Sequence, residues 1–317
     1  MKIGYFLSCE EWAPHELVAQ ARKAKAAGFE GLWISDHFHP WNAQQGHSPF
    51  VWSVIGAIAQ ATEAMPLTTA VTCPTMRIHP AIIAQAAATS ALLFNGNFSL
   101  GVGSGEALNE HIFGDRWPAA DERLEMLEEA VAVIRKLWQG GVQDHRGTHY
   151  RIEHARIYDL PDRPPPIIVS GFGPKAVQLA AQIGDGYCTV GPDPESVSAF
   201  RSAAREGAVV QGGLKVCWDE DQQRARQTVH RLWANEGLPG ELAQVLPTPE
   251  HFEQATELVT EDMLAAEIPC GPDVEQHVEA IKEYEQAGFD ELYVNQIGPN
   301  QDAFFDAYRD QVLPGLR

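Results

Sequence analysis

The segment KAAGFEGLWIS, residues 25–35, contains the junction that decides the fold of this chain. A helical pattern runs up to its glycine, and the apolar run that follows has room for no more than a strand. The same order recurs in AAQIGDGYCTV at 180–190 and in EQAGFDELYVN at 285–295. Each glycine is predicted to end a helix in a left-handed cap, so each segment is the helix-to-strand half of a repeated unit. The three glycines are Gly28, Gly184 and Gly288.

Extended to the whole chain, these patterns predict eight strands separated mostly by helices. The predicted strands are 3–6, 31–35, 67–71, 98–102, 167–169, 188–190, 214–218 and the end of 285–295. The predicted helices are 14–27, 50–63, 80–93, 121–138, 175–183 and 194–206. Strands joined through helices demand a parallel sheet with right-handed crossovers, and eight such units favour a (β/α)8 TIM barrel.

Two regions interrupt this alternation. Residues 139–166 predict a small hairpin and a Pro164-Pro165-Pro166 run, and residues 219–272 predict extra helices inserted between strands seven and eight. Insertions of this size after barrel strands usually shape a substrate mouth. Because no linker or charge block separates the chain into parts, we expect a single domain over 1–317.

Composition excludes several classes of partner and site. The chain has 317 residues, 44% of them apolar, and a formal net charge of −20. That charge repels nucleic acid and anionic membrane surfaces. Five widely spaced cysteines fit a reducing cytoplasm better than a disulfide or zinc framework. No apolar run approaches membrane length, so the sequence predicts a cytoplasmic protein with small-molecule partners.

The motif SDHFHPW, 35–41, directly follows the second predicted strand, at the end of the barrel where such enzymes place their sites. His37 is suited to proton transfer near neutral pH, with Asp36 fixing its tautomer, and Trp41 offers a flat wall for a planar ligand. Two alternatives remain open at this point. Asp36 can simply cap a turn, or His37 and His39 can ligate a divalent metal for hydrolysis, which needs further ligands behind later strands.

Three further strand ends carry candidate site residues. In GVGSGEALNEH, 101–111, the glycines predict close approach of the backbone to a bound ring or phosphate, with Glu106 and Asn109 in the mouth; Glu106 can equally be a helix N-terminal acid. In SGFGPKA, 170–176, a glycine turn before Pro174 leaves free N–H groups suited to a phosphate. TAVTCPT, 69–75, ends its strand in small and polar residues, as a bound ligand or a simple loop would require.

With these motifs, and with QGHSPF at 45–50, the chain resembles the luciferase-like superfamily of flavin- and deazaflavin-dependent barrels. It is most similar to the branch of deazaflavin-dependent glucose-6-phosphate dehydrogenases. It also resembles a subgroup sharing the DHFHPW and EDM segments, and this second resemblance implies ordinary flavin as the cofactor. The resemblance implies a cofactor ring in the barrel mouth that exchanges a hydride, while the protein supplies placement and proton management. It also implies a homodimer.

The resemblance assigns roles to individual residues. It implies His37 as the acid/base, Trp41 as the residue that stabilises the reacting centre and Glu106 as the proton partner. A non-prolyl cis peptide under the ring would join Ala70 to Val71. The implied cofactor-binding residues are Asp36, Ala70, Val71, Cys73, Gly103, Gly105, Asn109, Ser170, Gly171, Phe172 and Gly173.

The chain departs from the sugar-phosphate branch where three basic side chains hold the substrate phosphate. The corresponding stretches, 189–195, 252–258 and 263–269, contain no lysine or arginine. Each lost charge-assisted bond costs about 1.5–3 kcal/mol, so a sugar phosphate is not expected as the substrate. The cofactor stays open between coenzyme F420 and FMN. The alternatives to hydride transfer are an FMN-dependent monooxygenase, the metal-dependent hydrolase and a non-catalytic flavin-binding protein.

Overall fold

The computed structural model describes residues 1–316 and confirms the predicted barrel. The strands are β1 (Lys2–Leu7), β2 (Leu32–Ile34), β3 (Leu67–Thr69), β4 (Phe98–Val102), β5 (Gln143–Arg146), β6 (Arg151–Ala155), β7 (Ile167–Ser170), β8 (Gly186–Val190), β9 (Val209–Val216) and β10 (Glu291–Gln296). Eight of them pair in parallel in the closed order β1-β10-β9-β8-β7-β4-β3-β2. Because β1 pairs with both β10 and β2, the sheet has no free edge and every strand's carboxyl end opens at one face.

Helices connect the barrel strands and pack outside them. They are α1 (Pro14–Ala27), α2 (Val51–Ala61), α3 (Pro80–Leu93), α4 (Ala107–Glu110), α5 (Ala120–Leu137), α6 (Pro174–Ile183), α7 (Pro194–Ala203), α8 (Gln222–Trp233), α9 (Leu242–Val245), α10 (Pro249–Ala255), α11 (Glu261–Ala265), α12 (Val274–Gln286) and α13 (Gln301–Ala307). The predicted bounds of α1 and α3 are confirmed to the residue, because a proline occupies the first helical position of each. Among residues 1–316, no helix has the length and apolar character needed to cross a membrane.

Two of the three predicted glycine caps are confirmed. Gly28 and Gly288 are left-handed, with φ of 93° and 92°. Gly184 is not, since its φ is −88° and its ψ is 157°. A Cβ at Gly184 would lie 2.6 Å from the carbonyl oxygens of both Ala180 and Gly186. Glycine is required there for close backbone approach and not for a left-handed turn, a distinction that sequence spacing does not show.

Several predicted strand bounds differ from the observed ones, and two of these differences bear on the site. The strand predicted at 214–218 is β9, which begins at Val209, because Gly212 and Gly213 interrupt its apolar pattern. A Cβ at Gly213 would lie 2.8 Å from the ring of Trp33, so glycine there makes room for an aromatic side chain inside the barrel. The strand predicted at 67–71 ends at Thr69, just before a cis peptide bond.

The barrel interior is filled by aromatic side chains. The ring of Trp33 stacks on Tyr293 with centroids 4.8 Å apart and meets Phe6 edge-on at 5.5 Å. Ile168 and Cys188 complete this inner cluster, which closes the barrel below the mouth. The main apolar core lies outside it, between the strands and the surrounding helices.

Both predicted interruptions are confirmed. The hairpin is β5 and β6, and its turn is held by the Glu129 carboxylate, which accepts hydrogen bonds from three successive backbone N–H groups at 148–150.

The helical insertion after β9 comprises α8 to α11, and it contacts the rim of the mouth at several points. Asn42 donates to the carbonyl of Leu232 (2.9 Å), and Arg123 donates to Gln244 Oε1 (2.9 Å). The insertion therefore walls one side of the mouth.

Candidate active site

Inward-facing side chains at the carboxyl ends of the strands form the floor of the mouth. Along β9, Gln211 hydrogen-bonds to Trp33 inside the barrel, so Lys215, four residues further on, faces the same way. The alternation along β1, β2 and β10 brings three polar side chains to the same level. We call Ser8, Ser35, Lys215 and Asn295 the mouth floor.

Glu10, four residues beyond Phe6 of β1, is the partner of His37. Nε2 of His37 lies 3.4 Å from Oε1 of Glu10, whose side chain is 2% exposed. The other Glu10 oxygen accepts hydrogen bonds from the hydroxyls of Ser8 (2.7 Å) and Ser35 (2.8 Å). Nδ1 of His37 lies 3.2 Å from the carbonyl oxygen of His39. Both neighbours of the ring are acceptors, so the imidazole is placed to take up a proton and pass it on.

The prediction that Asp36 fixes the tautomer of His37 is wrong. Oδ2 of Asp36 accepts a hydrogen bond from the Thr72 hydroxyl (2.6 Å), and Oδ1 accepts one from the Arg77 guanidinium (2.8 Å). Adjacent side chains on extended backbone point in opposite directions, so Asp36 turns towards β3 while His37 turns towards β1. Both oxygens of Asp36 are engaged by the protein, and its contact with a cofactor stays a prediction.

Arg77 lies between two buried carboxylates. Its backbone N–H and Nε approach the Glu110 oxygens at 2.7 and 3.4 Å, while Nη2 binds Asp36. One guanidinium cannot neutralise two carboxylates, and burial raises the pKa of Glu110 to about 7 despite the opposing effect of Arg77. The sequence held a signal for this cluster, because Arg77 is the single charged residue between Glu63 and Glu106.

Asn109 joins the loop that carries His37 to the loop that carries Glu106. Its Oδ1 accepts hydrogen bonds from the backbone N–H groups of Phe38 (2.8 Å) and His39 (3.1 Å), and its Nδ2 donates to Glu106 Oε2 (3.4 Å). Asn109 is 1% exposed, so it positions other residues and does not line the open mouth. Glu106 occupies the N-cap position of α4, but its side chain makes no capping hydrogen bond.

Trp41 packs between the candidate acid/base and the insertion. Its ring centroid lies 4.9 Å from that of His37 and 5.1 Å from that of Phe252 in α10. The Trp41 backbone N–H donates to Gln45 Oε1 at 2.8 Å, which fixes the turn. The structure thus brings Trp41 and His37 together, and the Asn109 hydrogen bonds bring Glu106 to the same loop.

The peptide bond between Ala70 and Val71 is cis, as the resemblance implies. Both residues are partly exposed and pack on the inner aromatic cluster. The structure shows that Gly103 and Gly105 make room for neighbouring side chains, and their contact with a ligand stays a prediction. A Cβ at Gly103 would lie 2.7 Å from Val71 Cγ2, and one at Gly105 would lie 2.6 Å from Cys73 Sγ. Burial strongly raises the pKa of the Cys73 thiol.

The 170–173 turn presents an open helix N-terminus. Ser170 ends β7, the Gly171 carbonyl accepts a hydrogen bond from the Tyr187 hydroxyl (2.8 Å), and Phe172 is 60% exposed. Gly173 is the N-cap of α6 without a side-chain cap, and a Cβ there would meet no atom within 4 Å. Uncapped N–H groups beside open space are what a cofactor phosphate requires, so the residues present fit such a group.

Two charged groups in the mouth were not predicted: Lys215, which is partly exposed, and Glu11, which is buried. Lys215 Nζ lies 4.6 Å above the Trp233 ring and 3.1 Å from Glu236 Oε1. The Glu11 carboxylate accepts hydrogen bonds from Trp233 Nε1 and from the Gly298 N–H. Burial raises the pKa of Glu11 to about 7, an effect that these hydrogen bonds partly offset. The adjacent acids in SCEEW after an apolar run are the sequence signal for Glu11.

The metal-site alternative lacks the further ligands that it needs. Nδ1 of His39 lies 2.9 Å from the Leu108 carbonyl oxygen, whereas His37 contacts Glu10 and the His39 carbonyl. Within 1–316, no three His, Cys, Asp or Glu side chains form a group that could hold a metal ion.

Known proteins resemble the chain over its full length. The luciferase-like monooxygenase family model matches residues 1–291. The F420-dependent glucose-6-phosphate dehydrogenase from Amycolatopsis mediterranei is 35% identical, and the match covers 100% of this chain and 99% of that relative. The enzyme of the same name from Beutenbergia cavernae is 36% identical, and the match covers 100% of this chain and 98% of that relative. The solved structure of an F420-dependent secondary alcohol dehydrogenase in complex with an F420-acetone adduct is 31% identical. It has a TM-score of 0.92 and covers 100% of this chain and 99% of that one. The chain therefore belongs to the luciferase-like family of enzymes, as its sequence motifs imply.

Proposed function

We propose that the chain is an F420-dependent oxidoreductase that interconverts a small uncharged alcohol and its carbonyl counterpart. The observation that carries the proposal is the His37–Glu10 pair in the mouth of a barrel that matches the secondary alcohol dehydrogenase at a TM-score of 0.92. Alcohol oxidation releases a hydride and a proton, so the site needs a proton acceptor beside the hydride acceptor. His37 is the proposed proton acceptor.

The residues of the mouth have separate roles in the proposed reaction. When bound, the deazaflavin supplies the centre that exchanges a hydride. Nε2 of His37 takes the hydroxyl proton of the substrate, because Nδ1 donates to the His39 carbonyl, and Glu10, 3.4 Å from Nε2, stabilises the imidazolium that results. Trp41 limits water access to this proton from the side of the insertion, because its ring packs between His37 and Phe252. In carbonyl reduction the same groups return the proton.

Glu106 and the cofactor-binding residues complete the proposed site. Glu106, joined through Asn109 to the His37 loop, is the second proton group. The cofactor ring is proposed to lie over Ala70 and Val71, whose partly exposed side chains close the inner cluster, with its phosphate at the uncapped N-terminus of α6. F420 is preferred to FMN because the full-length relatives above 30% identity carry F420 in their names.

A neutral substrate is preferred to a sugar phosphate. The stretches 189–195, 252–258 and 263–269 contain no lysine or arginine. Without cations in these places a phosphate loses the charge-assisted bonds that would offset its desolvation. The secondary alcohol dehydrogenase structure, whose adduct contains acetone, supports a small uncharged substrate.

The test is a titration followed by turnover. Apo-protein is titrated with F420 and with FMN while Trp fluorescence is recorded, and the F420 complex is then mixed with propan-2-ol or with glucose 6-phosphate. We expect tighter binding of F420 than of FMN, and reduction of F420 by propan-2-ol alone. Preference for FMN with oxygen consumption would instead favour a monooxygenase. Binding without reduction by any alcohol would favour a non-catalytic flavin-binding protein.

We further propose that two copies associate through the outer faces of α2 and α3. These helices pack on each other and contain no charged residue, although the chain carries −20 overall. Ile82, Leu92 and Leu93 are 56%, 43% and 40% exposed on this face. Two strongly acidic copies repel each other least where both surfaces are uncharged. Light scattering should report a dimer, and Leu92→Asp should shift it to monomer; a monomeric parent would exclude the proposal.

Five unpaired buried thiols also lead us to propose a cytoplasmic location, since the cytoplasm keeps thiols reduced.

A further inference from the structure

We propose that Glu236 is a specificity-determining residue that excludes anionic substrates by neutralising Lys215. The inference rests on the proposed function only in placing the substrate above the mouth floor. It concerns a residue of the insertion, which reaches the mouth from outside the barrel.

Lys215 is the cation of the mouth floor. Its inward direction follows from the alternation along β9, where Gln211 bonds to Trp33 and a side chain at Gly213 would collide with that ring. The Lys215 side chain is 12% exposed, so its charge is poorly screened by solvent. A free ammonium group in this position would attract a phosphate or carboxylate group of a ligand.

Glu236 removes that attraction. Oε1 of Glu236 lies 3.1 Å from Lys215 Nζ, and the Glu236 side chain is 29% exposed, which places it on the solvent side of the pair. The Trp233 ring, 4.6 Å from the same ammonium group, holds the lysine stem in position. An anionic ligand approaching Lys215 would have to displace the Glu236 carboxylate from the ammonium group. Glu11 lies nearby as a second acid that would repel the ligand.

Asn295 independently indicates a neutral ligand. It lies directly opposite Lys215 on the neighbouring strand β10, and it is 1% exposed. Its Nδ2 donates to the Phe6 carbonyl (3.0 Å), but its buried Oδ1 accepts no hydrogen bond from the protein. Buried acceptors are normally paired. A hydroxyl group can donate to this oxygen, whereas a phosphate dianion or carboxylate cannot.

The experiment measures anion binding in the absence of cofactor and turnover. The full-length protein and its variants are titrated with inorganic phosphate at pH 8, where the phosphate is mostly the dianion, and Trp233 provides a fluorescence signal beside the ammonium group. We expect Glu236→Gln to bind phosphate at least about tenfold more tightly than the parent, the gain of one charge-assisted contact. Glu220→Gln, an equal charge change at an exposed position of the insertion outside the three stretches without lysine or arginine, should leave phosphate affinity unchanged.

The double variant Glu236→Gln/Lys215→Met decides whether the effect acts through Lys215. We expect it to lose the gained affinity. The inference is overturned if Glu236→Gln binds phosphate no better than Glu220→Gln, if the gain survives in the double variant, or if the parent already binds equally well. Glu236→Ala is a second variant with the same expected direction. Because no cofactor is present, a failure of F420 binding or of alcohol oxidation would appear in the separate titration and turnover assay.

Discussion

His37 and Glu10 come from the loops after β2 and β1, and their side chains meet with Nε2 and Oε1 3.4 Å apart. Because Glu10 acts through His37, we expect Glu10→Gln to lower kcat about tenfold and His37→Asn to lower it about a hundredfold or more. The dissociation constant of F420 should stay unchanged. The double variant should be no slower than His37→Asn alone, because the two groups act as one unit. Glu128→Gln, an exposed acid on α5, is the control; additive losses in steady-state kinetics would contradict the pairing.

Arg77 is the cation on which two buried carboxylates depend. Arg77→Met would leave Asp36 and Glu110, each 1% exposed in its side chain, without a positive partner. Removing one partner of a buried ion pair costs about 3–5 kcal/mol, and the free energy of unfolding should fall by that order. Arg116→Met breaks a surface pair with Glu122 and should change it by less than about 1 kcal/mol. Urea unfolding of both variants measures the difference, and equal losses would show that Arg77 is not a buried pairing residue.

Glu11 should make stability depend on pH. Its pKa in the folded chain is raised from 4.5 to about 7, so the unfolded chain loses this proton first as pH increases. The free energy of unfolding should therefore decrease between about pH 4.5 and pH 7 and level off above it, by up to about 3 kcal/mol from this group. Glu11→Gln cannot titrate. The stability difference between parent and Glu11→Gln should change across that interval, and a constant difference would exclude a raised pKa.

Gly103 should be intolerant of any side chain. Its Cβ would lie 2.7 Å from Val71 Cγ2, so Gly103→Ala must displace the segment that carries the cis peptide. Overpacking of this kind costs about 1–3 kcal/mol, and the affinity for F420 should fall with it. Gly56→Ala is the matched control, because its Cβ would meet nothing within 4 Å in helix α2. It should stabilise the protein by about 0.5–1 kcal/mol and leave F420 binding unchanged.

The barrel was predictable because its signals are local. A proline at the first helical position and an apolar run after a glycine place α1, β2 and α3 without any long-range information. Gly213 in β9 shows the limit, because the atoms that require a glycine there belong to Trp33, which is distant in sequence. A glycine that accommodates Trp33 looks the same in sequence as one that ends a strand.

The site was predictable where the candidate site residues follow a strand directly in sequence, as in SDHFHPW. The partners of those residues were not, because they depend on which strands are neighbours. Glu10 reaches His37 through the pairing of β1 with β2, and Lys215 faces the mouth through the register of β9. Asp36 was assigned to the wrong partner for the same reason: proximity in sequence to His37 says nothing about the direction of its side chain.

The stacked rings of Trp33 and Tyr293 close the barrel below Val71. Anything that reaches the reacting centre must therefore arrive and depart through a single opening, which cofactor and substrate share. In the proposed reaction the larger molecule, the cofactor, has to bind first and the substrate above it. Addition should therefore follow a compulsory order, with the alcohol and its product exchanging while the cofactor stays bound.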